Sequence, residues 1–475
     1  MNHDQTNLPE LIKLSAVEIV NFLKRGEVTP LDLLEELARR IAEVDSRVNA
    51  LPTLCFDRAR DFVAHWHKDE LRETLLGGIP VAIKDLNDVA GVRTTFGSLV
   101  YEDNISETSD ILVEHLEARG GVIYAKTNTP EFGTGANTTN KVFGATRNPW
   151  NNDLSAAGSS GGAAVALATG TAWLAHGSDM GGSLRNPASF CNIVGFRPTV
   201  GRVASTVGAQ TFDTLSTNGP MARNVEDLAL FLDAMSGRHP LDLRSLDSPA
   251  QPFREAVRQK ALPEKVAFST TFGGMTPVDP KVRQVILHAV EQIAAQGVEV
   301  EEASPDFSGL HDIFGTLRAF SYGTNYREIL EQHRTKLNDN VIWNIEQGLS
   351  LTAEDISRAE RMRAELVINV ARFFQEYDLF LTPATIVPPY PVDNPHVAEC
   401  DSHQFDNYFQ WLAAAYAFTT AMCPALSMPC GFTENGLPVG LQVAAATKED
   451  ASVLSAAGAF EDIFGLTGTV PIHPR

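Results

Sequence analysis

The sequence predicts an α/β protein with one large, mixed and twisted β-sheet that is covered on both faces by α-helices. From about residue 79 onward, short apolar strands alternate with helical segments, a rhythm typical of the βαβ units that build parallel sheets. Near the C-terminus, two apolar runs are joined through a Gly-Leu-Pro turn, which indicates an antiparallel hairpin. The sheet is therefore predicted to be mixed.

The N-terminal segment is predicted to be a helical arm with a structural role. Ser15 can cap a helix that ends at Gly26. Thr29 and Pro30 then supply an N-cap and a first-turn proline for a second helix, with Asp32 at its third position. Apolar residues follow at helical spacing: Leu33, Leu34, Leu37, Ile41 and Val44.

The rest of the chain divides into alternating elements without an internal repeat or a long linker. Predicted strands lie at 79–83, 122–125, 266–269, 298–300, 379–381, 426–428 and 439–443, and predicted helices at 109–119, 163–167, 280–296 and 353–376. We therefore expect a single domain over residues 1–475. Within it, 1–65 would form the arm, 66–240 the catalytic core, and 241–475 the remaining sheet and the substrate-pocket region.

Composition excludes some classes of function. The formal net charge of −21 disfavours nucleic-acid binding, because a polyanion repels phosphate. Five cysteines, an odd number without a CxxC pair, fit reduced thiols in a cytoplasmic protein. The N-terminus has no signal-peptide layout, and the longest weakly polar stretch is too short to span a membrane. We expect a soluble cytoplasmic protein without a membrane partner; its oligomeric state is open, with a homodimer as one alternative.

Two glycine- and serine-rich segments are candidates for chemistry. In the first, Gly158-Ser159-Ser160-Gly161-Gly162 runs directly into an apolar helical segment, which a flexible linker would not do. In the second, Asp179-Met180-Gly181-Gly182-Ser183 can fold tightly, so that successive N–H groups converge on one point, as an oxyanion hole requires. Ser183 would be well placed there as a nucleophile, although an ordinary loop with an N-capping serine is an alternative.

Lys84 is the candidate base, because it ends an apolar strand and burial in a cleft would lower its pKa. An exposed lysine at a strand end is the alternative. His176 is interpreted as a packed histidine. No GxSxG surrounds Ser183, and the sequence contains no HExxH or nucleotide-binding glycine motif, so neither a metal nor a cofactor is predicted.

Together these segments resemble the amidase signature family. The two serines, Ser159 and Ser183, lie 24 residues apart, as that family places its catalytic serines. The likeness runs from about residue 15 to 465 and includes the segments 78–85, 128–132, 147–150, 195–199 and 436–442. It implies the amidase-signature fold.

The resemblance implies a role for each residue of the motif. Ser183 would be the nucleophile, Ser159 would follow a cis peptide bond and relay the proton, and Lys84, neutral before attack, would be the base. The N–H groups of Met180, Gly181, Gly182 and Ser183 would line the oxyanion hole. Asp179 and Arg185 would fix the loop, and Ser160 would hold Lys84.

The implied activity is hydrolysis of small or medium uncharged amides, with side activity on esters. Aromatic and apolar residues outnumber cations in the candidate pocket segments, where Arg318 and Arg327 are the main positive charges. Substrate-pocket candidates are Phe132, Thr134, Phe314, Tyr322, Trp343 and Ile386. Each of these residues could equally belong to the core.

Two other functions are open. The same family includes the catalytic, glutaminase-type subunit of tRNA-dependent amidotransferases, although the region 340–375 does not resemble its glutamine-binding part. A binding protein that keeps the fold without catalysis is the second alternative. Ala157, Asn186 and Asn192 depart from the usual motif, which puts the fit of the substrate in doubt more than the chemistry.

Overall fold

A computed structural model describes residues 10–66, 68–206 and 208–475. The strands are Thr53–Leu54 (β1), Pro80–Lys84 (β2), Val122–Thr127 (β3), Thr139–Asn140 (β4), Gly144–Ala145 (β5), Leu174–Asp179 (β6), Val194–Arg197 (β7), Thr217–Ala222 (β8), Lys265–Phe268 (β9), Glu299–Glu302 (β10), Leu379–Pro383 (β11), Glu399–Cys400 (β12), His403–Gln404 (β13), Ala425–Phe432 (β14) and Pro438–Ala444 (β15).

The α-helices are Ala16–Arg25 (α1), Pro30–Val48 (α2), Phe56–His65 (α3), Lys68–Glu73 (α4), Ile111–Ala118 (α5), Gly161–Thr169 (α6), Arg185–Cys191 (α7), Val225–Met235 (α8), Phe253–Gln259 (α9), Pro280–Ala294 (α10), Leu310–His333 (α11), Asp339–Ser350 (α12), Ala353–Phe373 (α13), Ala413–Thr420 (α14) and Asp450–Phe464 (α15).

Eleven of these strands form one mixed sheet in the order β1-β3-β2-β6-β8-β7-β14-β15-β11-β9-β10. Parallel pairs lie on both sides of the sheet, as β3-β2-β6 and as β11-β9-β10. The centre and the β1 edge are antiparallel. The prediction of a mixed α/β sheet is confirmed, and so is the antiparallel hairpin of β14 and β15. The sheet is less parallel than the βαβ rhythm indicated, because β7 and β8 fold back antiparallel between the two parallel parts.

The arm has the predicted helix starts. Ser15 and Thr29 each form a capping box, with Glu18 and Asp32 respectively. The buried carboxylate of Asp227 accepts hydrogen bonds from the first two amides of α1, which fastens the arm to α8. Carboxylates are favourable at helix N-termini, where backbone N–H groups have no partner within the helix.

Helices α11 and α12 cover the predicted pocket region and were not foreseen as two separate helices. They approach each other closely through two glycines. A Cβ atom at Gly348 would lie 2.0 Å from the carbonyl oxygen of Ala319, and one at Gly323 would lie 2.9 Å from the backbone of Gly348. Only glycine allows so close a backbone contact, since an ordinary carbon–oxygen contact needs more than about 3 Å.

The five cysteines are free, and four of them are buried, in agreement with the prediction of reduced thiols. Within the described ranges, no helix has both the length and the apolar character needed to cross a membrane.

Candidate active site

The candidate residues meet at one edge of the sheet. Strands β2 and β6 are parallel neighbours, so their carboxyl ends lie together. Lys84 is the last residue of β2, and the turn that contains Ser183 follows β6. Ser159 and Ser160 precede α6, and the N–H of Ser160 donates to the carbonyl of Ser183 at 3.2 Å. In α/β sheets the carboxyl edge is the usual place for a ligand.

Glycines allow this close assembly of the serine segments. A Cβ atom at Gly162 would lie 2.3 Å from the backbone nitrogen of Asn128, so any larger residue would push α6 away from β3. Gly182 has a φ of +102°, and a Cβ atom there would lie 2.5 Å from that of Ala415. Gly162 and Gly182 are therefore needed for packing and conformation.

Lys84 is fully buried and surrounded by hydroxyl groups. Its Nζ lies 2.7 Å from Ser159 Oγ, 2.8 Å from Ser160 Oγ and 3.1 Å from Ser178 Oγ. In the described part of the chain, no carboxylate forms an ion pair with this amine. The alternative of an exposed lysine at a strand end does not hold.

Burial lowers the pKa of Lys84 from 10.5 to about 7, and the charge of Asp179 opposes that shift. A buried ammonium without a counter-ion is unstable relative to the neutral amine. A substantial fraction of Lys84 is consequently neutral near pH 7, which is the state that can accept a proton.

His176 lies beside this site as a packed histidine, in agreement with its interpretation from the sequence. Its Nδ1 accepts the backbone N–H of Lys84 at 3.4 Å, and its Nε2 lies 3.1 Å from the side-chain oxygen of Asn218. Burial lowers the pKa of His176 to about 3. The ring therefore stays neutral, and it positions the strand that carries Lys84.

The turn after β6 is held by a buried charge cluster. Arg185 forms a two-point contact with Asp179, with Nη2–Oδ1 at 2.8 Å and Nε–Oδ2 at 3.1 Å. Arg185 also donates to the carbonyl of Ala415 and to Gln442, which ties the turn to α14 and β15. Although burial alone would raise the pKa of Asp179, Arg185 and Arg197 hold it well below its usual range. The Asp179 carboxylate is therefore ionised and rigidly held.

One of the four N–H groups expected to line the oxyanion hole, that of Gly182, already donates a hydrogen bond within the turn. The N–H of Gly182 donates to Asp179 Oδ1 at 2.9 Å, and the N–H of Leu184 donates to Oδ2 at 3.0 Å. A single N–H directed at Asp179 cannot point fully at a substrate oxygen as well. In this structure the N–H of Gly182 shapes the turn. The amides of Met180, Gly181 and Ser183 are the candidate oxyanion donors, and Gly182 as a fourth donor stays a prediction.

A cavity of about 550 Å³ opens in front of these groups. Its volume suits a small or medium organic ligand. Ser159 and Ser183 lie in its wall, together with Met180 and Gly181 of the turn. The other walls include Leu86, Asp88, Tyr101, Asp110, Phe132, Asp213, Asn218, Arg244, Phe314, Arg318, Tyr322, Tyr326, Ile329, Tyr408, Phe409 and Leu412.

Three of the six expected pocket residues line this cavity: Phe132, Phe314 and Tyr322. Thr134 is buried behind the wall, where its hydroxyl lies 2.8 Å from that of Tyr322. Trp343 is 39% exposed and packs its ring against Tyr408 and Phe409, without lining the cavity.

Ile386 is in the core and not in the pocket. It is fully buried, and its carbonyl accepts the N–H of Asp279. The proline-rich segment around it places its backbone against the start of α10, and Ile386 is not part of the cavity wall. The expectation that Ile386 lines the pocket is therefore corrected.

Sequence reasoning missed the loop between β7 and β8 as part of the pocket. Ser205, Thr206, Gly208, Gln210 and Asp213 contribute to the cavity wall. The sequence does contain a signal for a loop near the site. This polar, glycine-containing stretch directly follows the motif segment 195–199 and has no helical or strand periodicity.

The structure shows the backbone conformation or surroundings of the three departures from the usual motif. Ala157 has a φ of +57°, the left-handed conformation that favours glycine, which accounts for the glycine common at this position. Asn192 has a φ of +59° at the end of α7, a conformation that asparagine tolerates. Asn186 lies against Gly182, and its Nδ2 has no hydrogen-bond partner among the described residues.

No metal site was predicted, and the described residues contain no group of three or more His, Cys, Asp or Glu side chains arranged to hold a metal ion.

Comparisons with known proteins identify the family of this chain. The sequence model of a protein family described as Amidase matches residues 32–454 of this chain. An acylamidase from Rhodococcus erythropolis is 34% identical over 95% of this chain and 95% of its own length. The A subunit of a glutamyl-tRNA(Gln) amidotransferase from Halothermothrix orenii is 31% identical over 91% of this chain and 94% of its own length.

Solved structures show the same relationship. A bacterial aryl acylamidase of the amidase signature family superimposes with a TM-score of 0.88, at 25% identity, over 97% of this chain and 99% of its own. Because the family model covers most of the chain and a relative exceeds 30% identity over nearly its full length, this chain belongs to the amidase signature family, a family of hydrolases that act on amide C–N bonds.

Proposed function

We propose that this amidase hydrolyses small or medium uncharged carboxylic amides through an acyl-enzyme on Ser183. Neutral Lys84 takes a proton from Ser159 while Ser159 takes one from Ser183, and Ser183 Oγ attacks the carbonyl carbon. The amides of Met180, Gly181 and Ser183 stabilise the oxyanion. Lys84 then returns its proton through Ser159 to the leaving nitrogen as the C–N bond breaks. Water hydrolyses the ester by the same proton path in reverse.

The observation that carries this proposal is the environment of Lys84. A fully buried amine that contacts Ser159 and Ser160 at 2.7 and 2.8 Å, with a pKa lowered to about 7, is suited to accept a proton from a serine. The buried Asp179–Arg185 pair supports the expected rigidity of the turn that carries Ser183. Each proton transfer has a side chain of this chain, so the proposed reaction needs no metal or organic cofactor.

The cavity supports an uncharged substrate with aromatic or apolar parts. Phe132, Phe314 and Tyr322 give it aromatic walls. Two similar proteins are named for acylamide chemistry, an acylamidase and an aryl acylamidase. An apolar pocket discriminates weakly, by about 1–3 kcal/mol per methylene, so several related amides and matching esters are expected to react.

A hydrolysis panel tests the proposed function. We expect the purified protein to cleave neutral aryl amides faster than aliphatic amides, and a serine-reactive phosphonate to label Ser183, as located by peptide mass spectrometry. Labelling of a serine outside the two motifs, or no hydrolysis of any neutral amide, would contradict the proposal.

A second candidate function is favoured by the similarity to the A subunits of amidotransferases. In that case the chain would release ammonia from glutamine, and glutaminase activity would rise when partner subunits and tRNA are added. The expected result is weak glutaminase activity that is unaffected by such partners. A non-catalytic binding protein is the third alternative, and phosphonate labelling of Ser183 would argue against it.

The setting of the enzyme is also a proposal. The free thiols support a reducing, cytoplasmic location. The net charge of −21 supports the absence of a nucleic-acid partner. A homodimer stays an open prediction that sedimentation can test.

A further inference from the structure

Arg318 on α11 is a buried cation in the wall of the cavity. It is 6% exposed and lies close to the oxyanion turn, with Nη1 3.6 Å from the sulfur of Met180. Its Nη2 donates to the hydroxyls of Tyr322 and Tyr408. In the described ranges, Arg318 forms no ion pair with a carboxylate.

The guanidinium has donors to spare. It carries five N–H bonds, and its hydrogen bonds in this structure go to two tyrosine hydroxyls and one weakly accepting sulfur. Its Nη1, beside Met180 of the oxyanion turn, has only that weakly accepting sulfur as a partner among the described residues. An incoming oxygen atom that accepts a hydrogen bond would therefore be stabilised at this wall.

The aromatic surroundings already compensate much of the charge. The guanidinium carbon lies 4.6 Å from the ring centre of Tyr322 and 5.6 Å from those of Tyr408 and Phe409. Cation–π contacts with these rings stabilise the ion in place of a carboxylate. Arg318 therefore offers the cavity an available hydrogen-bond donor more than an unbalanced charge.

The other charges of the cavity oppose an anion. Asp88, Asp110 and Asp213 lie in the same wall, while Arg244, the other cation there, is paired with Asp242 at 3.0 Å. A carboxylate would enter a cavity in which acidic groups outnumber cations, in a protein of net charge −21. A neutral acceptor such as a ketone, ester or second amide oxygen avoids this repulsion.

We propose that Arg318 is a specificity-determining residue that binds a neutral oxygen acceptor of the substrate, so that the preferred substrates are uncharged amides with a second carbonyl or similar group. This inference rests on the proposed function, since it concerns the substrate of the same site. Hydrogen bonds to charged donors contribute enough to give a preference of about tenfold to a hundredfold.

Three matched anilides test the proposal: hexanoic anilide, its analogue with a ketone at the penultimate carbon, and the monoanilide of glutaric acid. The same three end groups are also placed on the amine half of a benzamide series. In the wild-type enzyme, we expect kcat/KM of the ketone to exceed that of the plain amide at least about tenfold in one of the two series, and the carboxylate to be the poorest substrate.

Variants then locate the preference. Arg318→Met should reduce the ratio of ketone to plain amide to within about threefold, and Arg318→Lys should restore part of it. Arg327→Met is the matched control, because Arg327 lies on the same helix but is 63% exposed and faces Glu331. In Arg327→Met, the ratio of kcat/KM for the ketone to kcat/KM for the plain amide should equal that of the wild type.

Binding measured without turnover separates this inference from the proposed function. Calorimetric titration of Ser183→Ala with the same compounds should give the same order of affinities. If this variant still hydrolysed the amides, the proposed nucleophile would be wrong, while the ketone preference could still be read from kcat/KM. Equal affinity and equal kcat/KM for ketone and plain amide in the wild-type sequence would overturn the inference. So would a carboxylate preference, or an equal loss for all substrates in Arg318→Met, which would indicate that Arg318 only positions Met180.

Discussion

Two fully buried lysines, Lys84 and Lys126, lie on neighbouring parallel strands but have opposite surroundings. Lys126 pairs in register with Ile83, the residue before Lys84, so the pleat directs the two lysines to opposite faces of the sheet. Lys126 Nζ lies 3.3 Å from the carboxylate of Asp85. Among the described residues, the Lys84 amine forms its hydrogen bonds with hydroxyl and carbonyl oxygens.

The difference between the two is the counter-ion. Burial lowers the pKa of both lysines. Asp179 opposes the shift at Lys84 through its charge alone, whereas Asp85 opposes the shift at Lys126 through its charge and a hydrogen bond. A buried lysine with a carboxylate partner is stabilised as a cation and supports structure, whereas one among hydroxyls is available as a base. Residue type and burial alone would not separate these two roles.

The largest expected effect comes from removing the hydroxyl of Ser183, the proposed nucleophile, whose proton is proposed to reach Lys84 through Ser159. Ser183→Ala leaves both lysines and their neighbours in place, so only the attacking oxygen is lost. We expect amide turnover to fall by about 10⁴-fold or more, with an unchanged melting temperature. Steady-state kinetics and thermal unfolding measure this. The control is Ser350→Ala, which changes an exposed serine at the end of α12. Full turnover by Ser183→Ala would contradict the assignment of Ser183 as the nucleophile.

Replacing each lysine with methionine tests whether Lys84 acts as a base and Lys126 as a structural cation. Lys84→Met should lower kcat by about 10²- to 10⁴-fold, because the proton path from Ser159 ends there. Its free energy of unfolding near pH 7 should not fall, since no carboxylate is left unpaired and the cost of burying the lysine is removed. Lys126→Met leaves the buried carboxylate of Asp85 without its cationic partner. This variant should lower the free energy of unfolding by about 3–5 kcal/mol.

Chemical denaturation and kinetics on both lysine variants decide the outcome. A second change, Asp85→Asn, should recover part of the stability lost in Lys126→Met, because it removes the unpaired charge. If both single variants lost similar stability and similar activity, the two lysines would not differ in role.

The pH profile gives a smaller and more gradual effect. Since the folded pKa of Lys84 is lowered to about 7, the neutral base is present above pH 7 and is lost by protonation below it. We expect kcat/KM for a non-ionising amide to fall about tenfold per pH unit below that value and to level off above about pH 8. A flat profile from about pH 5 to 9 would contradict a lysine base.

The free energy of unfolding should also depend on the ionisation of Lys84. Lys84 binds a proton more weakly in the folded state than in the unfolded chain, so its contribution to stability rises with pH between about 7 and 10.5. Lys84→Met should flatten the stability profile in that window, as measured by denaturation at several pH values.

Metal removal should have the smallest effect. A lysine that accepts the proton makes a metal-activated water unnecessary, so prolonged dialysis against a chelator should leave kcat/KM unchanged within error. Loss of activity that one specific metal restores would contradict the serine–lysine mechanism.

Much of the fold could be predicted because local signals agreed with it. Capping residues such as Ser15 and Thr29 fixed helix starts, and the apolar runs at β2, β3 and β11 fixed strands. The antiparallel return of β7 and β8 could not be predicted, because pairing partners far apart in sequence leave no local trace.

The candidate site was predictable where chemistry and backbone geometry share one short motif, as in the segment from Asp179 to Ser183. The pocket was harder to predict, because an apolar side chain suits a core and a cavity wall equally well. Ile386 and Phe314 illustrate this: both are apolar and buried, and only the tertiary structure separates them.

The glycine contact between α11 and α12 connects a position outside the cavity to the helix that forms part of the cavity wall. Gly348 touches Ala319 of α11, and the same helix carries Phe314 and Arg318 to the cavity. A methyl group at position 348 requires α11 or α12 to shift, and a shift of α11 would move the cavity wall. Substitutions at this contact between the two helices are thus expected to change the range of substrates while every residue that lines the cavity stays the same.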